Sequence, residues 1–515
     1  MSVCLATVNA KPAFTPLSLL YLKAYLVARG TLVASDVHVV ELDPAASPAD
    51  LARRLLEGAP SIVGLSCYVW NVKKLLAAAA LMKEQRPDLR VVLGGPEVGP
   101  VARSVLEANP AVDCVVKSEG ELPFNDIVRA WRRGDDLSAI AGLCFREGGE
   151  VVDTGDATPL ADLNELASPQ AMIDFDPKGR VICLETQRGC VFRCNFCFYN
   201  KDLSIRNRRF DLGRVKEEIR FWLEQDIAQI YLMDPVFNLN AARAKEICAF
   251  IAEHNTRRIR IHTEVWAEFI DEEMARLMKE AHFRFLEVGL QTTDDRVLVT
   301  VERRLRMARF LEGIDHLKRH DIPFELQLIY GLPGETRASF RTSLNFAASL
   351  EPPDLAVFPL MLLPGTELRR KAAGLDIDFD PEPPYFVRSH RSMTPEDIAY
   401  GLRVSEAVGV LARSWTVRLL SREPGLTFAD IVDAWLGWEG GAPQSPGGTS
   451  TEAPQPGVPP VRTEGGSTAS PRDAAQDDKG RLGRFILHLC ASRGIPPEFY
   501  EASARVELRA TPPSQ

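Results

Sequence analysis

Val181–Asn200 reads VICLETQRGCVFRCNFCFYN, an apolar run followed at once by three closely spaced cysteines. The run Val181–Glu185 has the composition of a β-strand, and Gly189 permits a tight turn directly before Cys190. Cys190, Cys194 and Cys197 follow at C-x3-C-x2-C spacing, so three thiolates on one short loop can face one inorganic centre. Soft thiolates suit both iron–sulfur clusters and zinc. A four-iron cluster normally takes four protein thiolates, so three leave one iron open to bind and activate a small molecule. Zinc needs a fourth ligand, and the nearest candidate, Cys183, lies on the strand itself at an irregular distance from Cys190. Arg188, Arg193, Asn195 and Asn200 make the loop polar, against chance clustering of buried cysteines.

Downstream, apolar runs alternate with helical patterns: Val181–Glu185, Gln229–Met233, Ile259–Thr263, Phe285–Leu290, Glu325–Ile329 and Leu355–Leu360. Six such units make most of a parallel (β/α)6 barrel, with function on the loops at the carboxyl ends of the strands. Upstream, Val3–Val8, Val37–Leu42, Ser61–Ser66, Arg90–Gly94 and Val112–Val116 alternate with amphipathic stretches, which predicts an α/β doubly wound, Rossmann-like domain over residues 1–137. Residues 138–180 read as a connector containing a hairpin, LCFREGGEVVD, with Gly148-Gly149 at its turn. The barrel spans 181–370 and a helical extension 371–439, with Pro395, Glu396 and Asp397 placed to start a helix after Thr394. Residues 440–480, rich in Pro, Gly, Ser and Thr, read as a disordered tether, and 481–515 as a C-terminal helical segment that docks back.

A length of 515 residues calls for several domains, and 25% charged residues is ordinary for a globular chain. The net charge of −9, with Lys and Arg scattered among acids, offers no footprint for nucleic acid. The N-terminus MSVCLATVNAKPAF lacks a basic flank and long apolar core, and no window approaches the ~18 apolar residues that span a bilayer, so no membrane association and a cytoplasmic location are expected. Cys4, Cys67, Cys114, Cys144, Cys248 and Cys490 lie within apolar runs, where buried thiols are the expectation.

The C-x3-C-x2-C loop after a first barrel strand, with Phe196 before the third cysteine, resembles the radical S-adenosylmethionine (SAM) superfamily. The resemblance implies a [4Fe-4S] cluster on Cys190, Cys194 and Cys197, with SAM bound at the open iron and cleaved to methionine and a 5′-deoxyadenosyl radical. It implies the adenine near the backbone of Phe196. It further points to Asp234 in MDPVFN for the SAM amine, and to Glu264 in HTEV and Gln291 in EVGLQT for ribose or methionine. LIYGLPGET, with Leu332, resembles the stretch that lines the adenine.

A doubly wound domain ahead of such a barrel resembles the cobalamin-binding subfamily, the class B methyltransferase-like radical SAM enzymes. Ser66, Gly94-Gly95 and SEGE (Ser118–Glu121) stand at strand ends, where glycine lets backbone approach a bulky ligand. The resemblance implies Leu17, Ser66, Gly94, Gly95, Pro96, Glu97 and Glu119 around cobalamin. A nucleotide-binding domain is the rival, but Asn9–Pro16 after the first strand has no glycine for a G-x-G-x-x-G loop. The same segment has no histidine, which removes the Asp-x-His-x-x-Gly lower ligand carried by many cobalamin domains. Tyr68 or Trp70 is therefore expected against the lower corrin face. LLPGTEL (Leu362–Leu368) and PEPPYF (Pro381–Phe386) resemble a C-terminal extension of some relatives, in which Tyr385, Arg388 and His390 either face the substrate or anchor a lid.

The implied activity is methyl transfer through methylcobalamin to an unactivated carbon of a small-molecule or peptide substrate, with an external flavodoxin- or ferredoxin-like electron donor. Ring closure, ring contraction or oxygen insertion with the same cofactors, or a cobalamin sensor without catalysis, are the alternatives. Anaerobically reconstituted protein is expected to hold iron and sulfide in a form lost when Cys190, Cys194 or Cys197 is replaced by Ala; elemental analysis finding one zinc and no iron overturns this.

Overall fold

The computed structural model describes residues 1–200, 207–438, 471–493 and 495. The chain divides into two compact units, the first comprising 1–264, 272–284 and 362–370, the second 265–271, 285–361 and 371–515.

In the first unit, β1 (Val3–Val8), β2 (Val37–Leu42), β3 (Ile62–Ser66), β4 (Arg90–Gly94) and β5 (Cys114–Val116) pair in parallel in the order β2-β1-β3-β4-β5. Alternation along β1 sends Cys4, Ala6 and Val8 to one face and Val3 and Leu5 to the other. One core takes Leu51, Leu75, Met82 and Leu106 from one helical layer; the other takes Leu19, Leu26, Phe124 and Ile127 from the opposite layer. Both faces are thus covered, as a doubly wound sheet requires.

The hairpin expected in a connector belongs to this sheet instead. β6 (Leu143–Glu147) pairs antiparallel with the three-residue β5, and β7 (Glu150–Asp153) pairs with β6, giving seven strands. Gly148 and Gly149 both have positive φ, the turn that suits strand twist. The reason is burial: Leu143, Cys144 and Phe145 complete the two cores at the edge that short β5 leaves open. The first domain therefore extends to Asp153 rather than ending at 137.

The second sheet contains β8 (Val181–Leu184), β11 (Gln229–Leu232), β12 (Arg260–Val265), β13 (Phe283–Gln291), β14 (Phe324–Tyr330) and β15 (Asp354–Pro359), arranged in sequence order. Its six strands are parallel, as the alternating runs predict, so all their carboxyl ends lie on one edge. Two short strands between β8 and β11, β9 (Gln187–Arg188) and β10 (Arg208–Arg209), form a separate antiparallel pair.

Within the first unit, the loop after β1 pairs with β8. Val181 N–H donates to the Ala13 carbonyl (2.9 Å), Thr15 N–H to the Val181 carbonyl (3.0 Å), and Cys183 N–H to Thr15 Oγ1 (2.9 Å). Beside them Arg180 pairs with Glu41 at 2.6 Å. This backbone pairing gives a segment with neither glycine nor histidine a structural task, which is to dock β8.

In the second unit, the helix Pro395–Leu411 starts where Pro395, Glu396 and Asp397 predict, and Thr394 caps it reciprocally with Asp397. That helix lies so close to β14 that a Cβ on Gly401 would stand 1.8 Å from the Tyr330 ring. A last helix, Pro471–Arg493, packs Phe485 edge-on against Trp435 at 4.9 Å, which is the docking expected of the C-terminal segment. It begins ten residues before 481, inside the stretch read as a tether, where PRDAAQDDKG puts proline at the first turn and good helix formers after it. Residues 439–470, most of the expected tether, and 496–515 lie outside the described residues. Among the described residues no helix is long and apolar enough to cross a membrane.

Candidate functional site

The cysteine loop leaves β8 through Thr186 and Gln187, and a buried carboxylate fixes that exit. Asp234, fully buried after β11, accepts from Thr186 N–H (2.7 Å), Gln187 N–H (3.3 Å) and Thr186 Oγ1. Burial pushes its carboxyl up to about 7 against the opposing hydrogen bonds from Thr186 and Gln187. Expected to hold the SAM amine, Asp234 accepts from this turn through both oxygens and so fixes the exit of the loop.

The loop is closed at its stem by β9 and β10, with Arg188 directly opposite Arg208, and Asn207 Nδ2 donating to the Gly189 carbonyl at 3.1 Å. Arg188 is largely buried over the Tyr21 ring, 5.0 Å from its centroid. Its Nε donates to Glu185 (2.8 Å), its Nη2 to Glu121 (2.7 Å), and its Nη1 lies 3.7 Å from Glu119. Arg208 also pairs with Glu119, donating from Nη1 at 3.1 Å, and reaches the Leu160 carbonyl at 2.6 Å. Glu119, expected beside cobalamin, is thus held by two guanidinium groups of the cysteine loop, a pairing that sequence separation hides.

Within the loop, Gly189 takes φ 88°, the left-handed backbone that its position before Cys190 predicts. Cys194 is buried, with Cys190 and Cys197 partly exposed. Burial and the neighbouring Cys194 and Cys190 push the Cys197 thiol up to about 12, with Glu264 adding to the effect. Glu264, near the end of β12, and the three sulfurs therefore share one electrostatic neighbourhood. Among the described residues no three His, Cys, Asp or Glu side chains surround a point fit for one metal ion, a condition that three thiolates on different irons of one cluster do not impose. Cys183 is buried on β8 with its amide held by Thr15, apart from the loop in register with Tyr231.

LLPGTEL returns to this loop from the far end of the barrel sequence. Leu368 N–H donates to the Asn195 carbonyl at 2.9 Å, which ties down the backbone just before Phe196. Gly365 has φ 82°, and a Cβ there would stand 2.7 Å from Pro100 of the loop after β4. One segment thus touches both the cysteine loop and the expected cobalamin cradle.

In that cradle a Cβ on Gly94 would enter open space, whereas one on Gly95 (φ 104°) would stand 2.4 Å from the Cys67 carbonyl. Gly95 shapes the backbone and Gly94 leaves the surface bare, the division a large flat ligand needs. Tyr68 and Trp70 stack at 4.5 Å with planes 6° apart, and Trp70 is 39% exposed while its Nε1 donates to the Val8 carbonyl at 3.0 Å. Asn71, which sequence reasoning missed, holds this loop: Nδ2 donates to Thr7 Oγ1 and to the Val8 and Ser66 carbonyls, each at 3.2 Å, and Oδ1 accepts from Tyr68 N–H at 2.8 Å. Its place directly before the helix Val72–Gln85 reads from sequence as an ordinary cap. Pro96 is half-buried, whereas Leu17, Ser66 and Glu97 are buried.

In the second unit, Gln291 ends β13 at a bulge with φ 69°, and its buried Oε1 has no partner among the described residues. Arg303, also missed, is nine-tenths buried, lies 4.4 Å from the Trp266 ring centroid, and donates to the Gly289 carbonyl. An unpaired acceptor beside a buried cation suits a zwitterion. Leu332 is fully buried, so only its backbone can line a ligand; its carbonyl accepts from Glu335 N–H at 3.0 Å. Glu335 Oε2 accepts from Gly331 N–H at 3.0 Å, and burial pushes that carboxyl up to about 8. Tyr385 and His390 are buried and Arg388 pairs with Asp380 at 3.2 Å, the features of an anchored segment.

A three-thiol loop after the first strand of a parallel sheet, joined to a doubly wound domain with a bare glycine cradle, defines a two-domain class of cofactor-binding protein. Comparison with known families agrees: residues 184–347 match the radical SAM superfamily and residues 3–128 the B12-binding domain. The cobalamin-dependent radical SAM methyltransferase TokK of Streptomyces tokunonensis is 31% identical over 333 residues, covering 60% of this chain and 48% of that one. The 2-(S-pantetheinyl)-carbapenam-3-carboxylate methyltransferase of Streptantibioticus cattleyicolor is 28% identical over 367 residues, covering 66% and 52%. This chain thus spans about half the length of these curated relatives. The solved structure of the radical SAM methyltransferase TsrM from Kitasatospora setae, with cobalamin and a [4Fe-4S] cluster bound, superposes with a TM-score of 0.62 at 20% identity, covering 74% of this chain and 78% of that one. The chain belongs to the radical SAM superfamily and carries a B12-binding domain ahead of its radical SAM domain. These domains imply a [4Fe-4S] cluster, SAM and cobalamin as its cofactors, and three thiols on one loop are the donor chemistry that such a cluster takes.

The buried Asp234 carboxyl has a thermodynamic signature. Its folded pKa is about 7, so between about pH 4 and that value the folded chain keeps a proton that the unfolded chain releases. The contribution is most favourable below the unfolded pKa and declines as pH rises to about 7. Asp234→Asn is expected to remove this slope from denaturant unfolding of the cofactor-free protein; an unchanged slope overturns the assignment.

Proposed function

We propose that this chain is a cobalamin-dependent radical SAM enzyme that methylates an unactivated carbon of a small-molecule or peptide substrate. The observation that carries the reading is the union, in one compact unit, of a three-thiol loop and a glycine-bare cradle, with Glu119 of one domain bound by Arg188 and Arg208 of the other. When bound, the cofactors supply hydrogen abstraction and a transferable methyl group, and the protein supplies positions and exclusion of water.

Cys190, Cys194 and Cys197 would hold the cluster. Asp234 fixes the turn that presents them, and the Leu368-to-Asn195 hydrogen bond steadies the backbone at Phe196. Gln291 and Arg303 offer the acceptor and the cation that an amino acid's ammonium and carboxylate require, as the methionine end of SAM does. Tyr68 and Trp70 present a flat aromatic face at the end of β3, suited to the lower side of a corrin where Asn9–Pro16 supplies no imidazole. Electrons would come from an external flavodoxin- or ferredoxin-like donor.

The test is anaerobic reconstitution with iron, sulfide and cobalamin, followed by SAM, reductant and candidate substrates. Formation of 5′-deoxyadenosine together with S-adenosylhomocysteine is expected. The nucleoside alone indicates radical chemistry without methyl transfer, and no cleavage by an intact cluster indicates a cobalamin sensor. A Trp70→Ala chain is expected to bind cobalamin with a shifted absorption spectrum; a spectrum identical to that of the parent removes Trp70 from the corrin face.

A further inference from the structure

The stem of the cysteine loop carries an electrostatic problem that the loop cannot solve alone. β9 and β10 place Arg188 and Arg208 directly opposite each other, and like charges at opposed positions of an antiparallel pair repel. Both side chains are largely withdrawn from water, so solvent does little to screen them. On the loop's own side, Glu185 reaches Arg188 but no ion pair among the described residues joins it to Arg208. The group that meets both guanidiniums is Glu119, with Glu121 adding a second carboxylate to Arg188. Glu119 stands on the short segment between β5 and the helix Glu121–Arg133, at the carboxyl end of a strand in the cobalamin-binding domain. In doubly wound sheets ligands bind at that edge.

We infer that Glu119 is a clasp through which cobalamin occupancy controls closure of the cysteine loop, so that bound cobalamin slows loss of the cluster and a bound cluster tightens cobalamin. This rests on the proposed cofactors, and it reassigns Glu119 from a corrin contact to a positioning residue. The physical chain is short. A ligand at the carboxyl ends of β3, β4 and β5 restricts the segment that carries Glu119. A restricted Glu119 neutralises Arg188 and Arg208 together, and the neutralised pair lets β9 and β10 stay zipped. The zipped stem holds Gly189 against Asn207 and keeps Cys190 in place with its two partners. Linkage makes the effect reciprocal, with the same factor in both directions.

The experiment follows iron retention on the full chain, reconstituted anaerobically, in the presence of an iron chelator and with or without hydroxocobalamin. Iron is counted on the desalted protein, and cobalamin affinity is measured by equilibrium dialysis with and without the cluster. In the parent chain, cobalamin is expected to slow iron loss by about fivefold or more, and the cluster to tighten cobalamin by a matching factor. In Glu119→Gln and in Arg208→Met, cluster-free chains should bind cobalamin as the parent does, while the protection falls below about twofold. Equal iron loss from the parent with and without bound cobalamin overturns the inference, whether or not either variant folds. Full protection surviving in Glu119→Gln also overturns it. So does loss of cobalamin binding in Glu119→Gln but not in Arg208→Met, which returns Glu119 to the corrin. A parent chain that takes up no cobalamin or no cluster fails earlier, at the proposed function itself.

Discussion

Two arginines opposed across a two-residue strand pair set the terms for the rest of the first unit. Arg188 and Arg208 close the stem of the cysteine loop, and a closed stem requires negative charge from outside it. Removing one partner from a buried ion pair is far costlier than losing an exposed one, because the remaining charge has no water to turn to. The carboxylates come from Glu185 at the end of β8 and from Glu119 and Glu121 beyond β5. A metal loop and a ligand-binding sheet, distant in sequence, are thereby made parts of one electrostatic arrangement.

The other contacts between these segments act in the same sense. The segment after β1 pairs with β8 through backbone hydrogen bonds, and LLPGTEL ties the cysteine loop while packing Gly365 against Pro100. Asp234 anchors one side of the loop exit and Asn71 anchors the loop after β3. None of these residues needs to touch a reacting atom. Each fixes a strand-end loop by satisfying backbone polar groups that would otherwise be buried without partners.

The strands were legible because their apolar runs are bounded by breaks and fall at the period of alternating α/β units. β1, β2 and β4 begin and end where the runs do. The hairpin β6–β7 was legible as a hairpin but not as a sheet edge, since the gap it fills exists only once β5 is seen to be short. The cysteines share one loop, as their spacing requires, and Gln291 and Glu264 stand at or near strand ends, as their runs predict. Asp234 and Glu119 stand at strand ends as expected of their positions, but their loop partners do not show in the sequence, because a carboxylate at a strand end can serve a ligand or a neighbouring loop equally well. In the sequence Arg188 reads only as loop polarity, and nothing along the chain sets Arg303 or Asn71 apart, since their partners lie on other segments.

By itself the sequence determined the local facts: which segments form strands, that three thiols share one loop, and that the segment after β1 holds no histidine and no glycine-rich turn. These follow from side-chain chemistry and spacing along the chain. Tertiary structure decided the pairings: that Glu119 answers Arg188 and Arg208, that Asp234 holds a turn, and that the histidine-free segment docks β8. Such choices turn on which charges and backbone groups meet once water is excluded, and that depends on distances in space that separation along the chain does not encode.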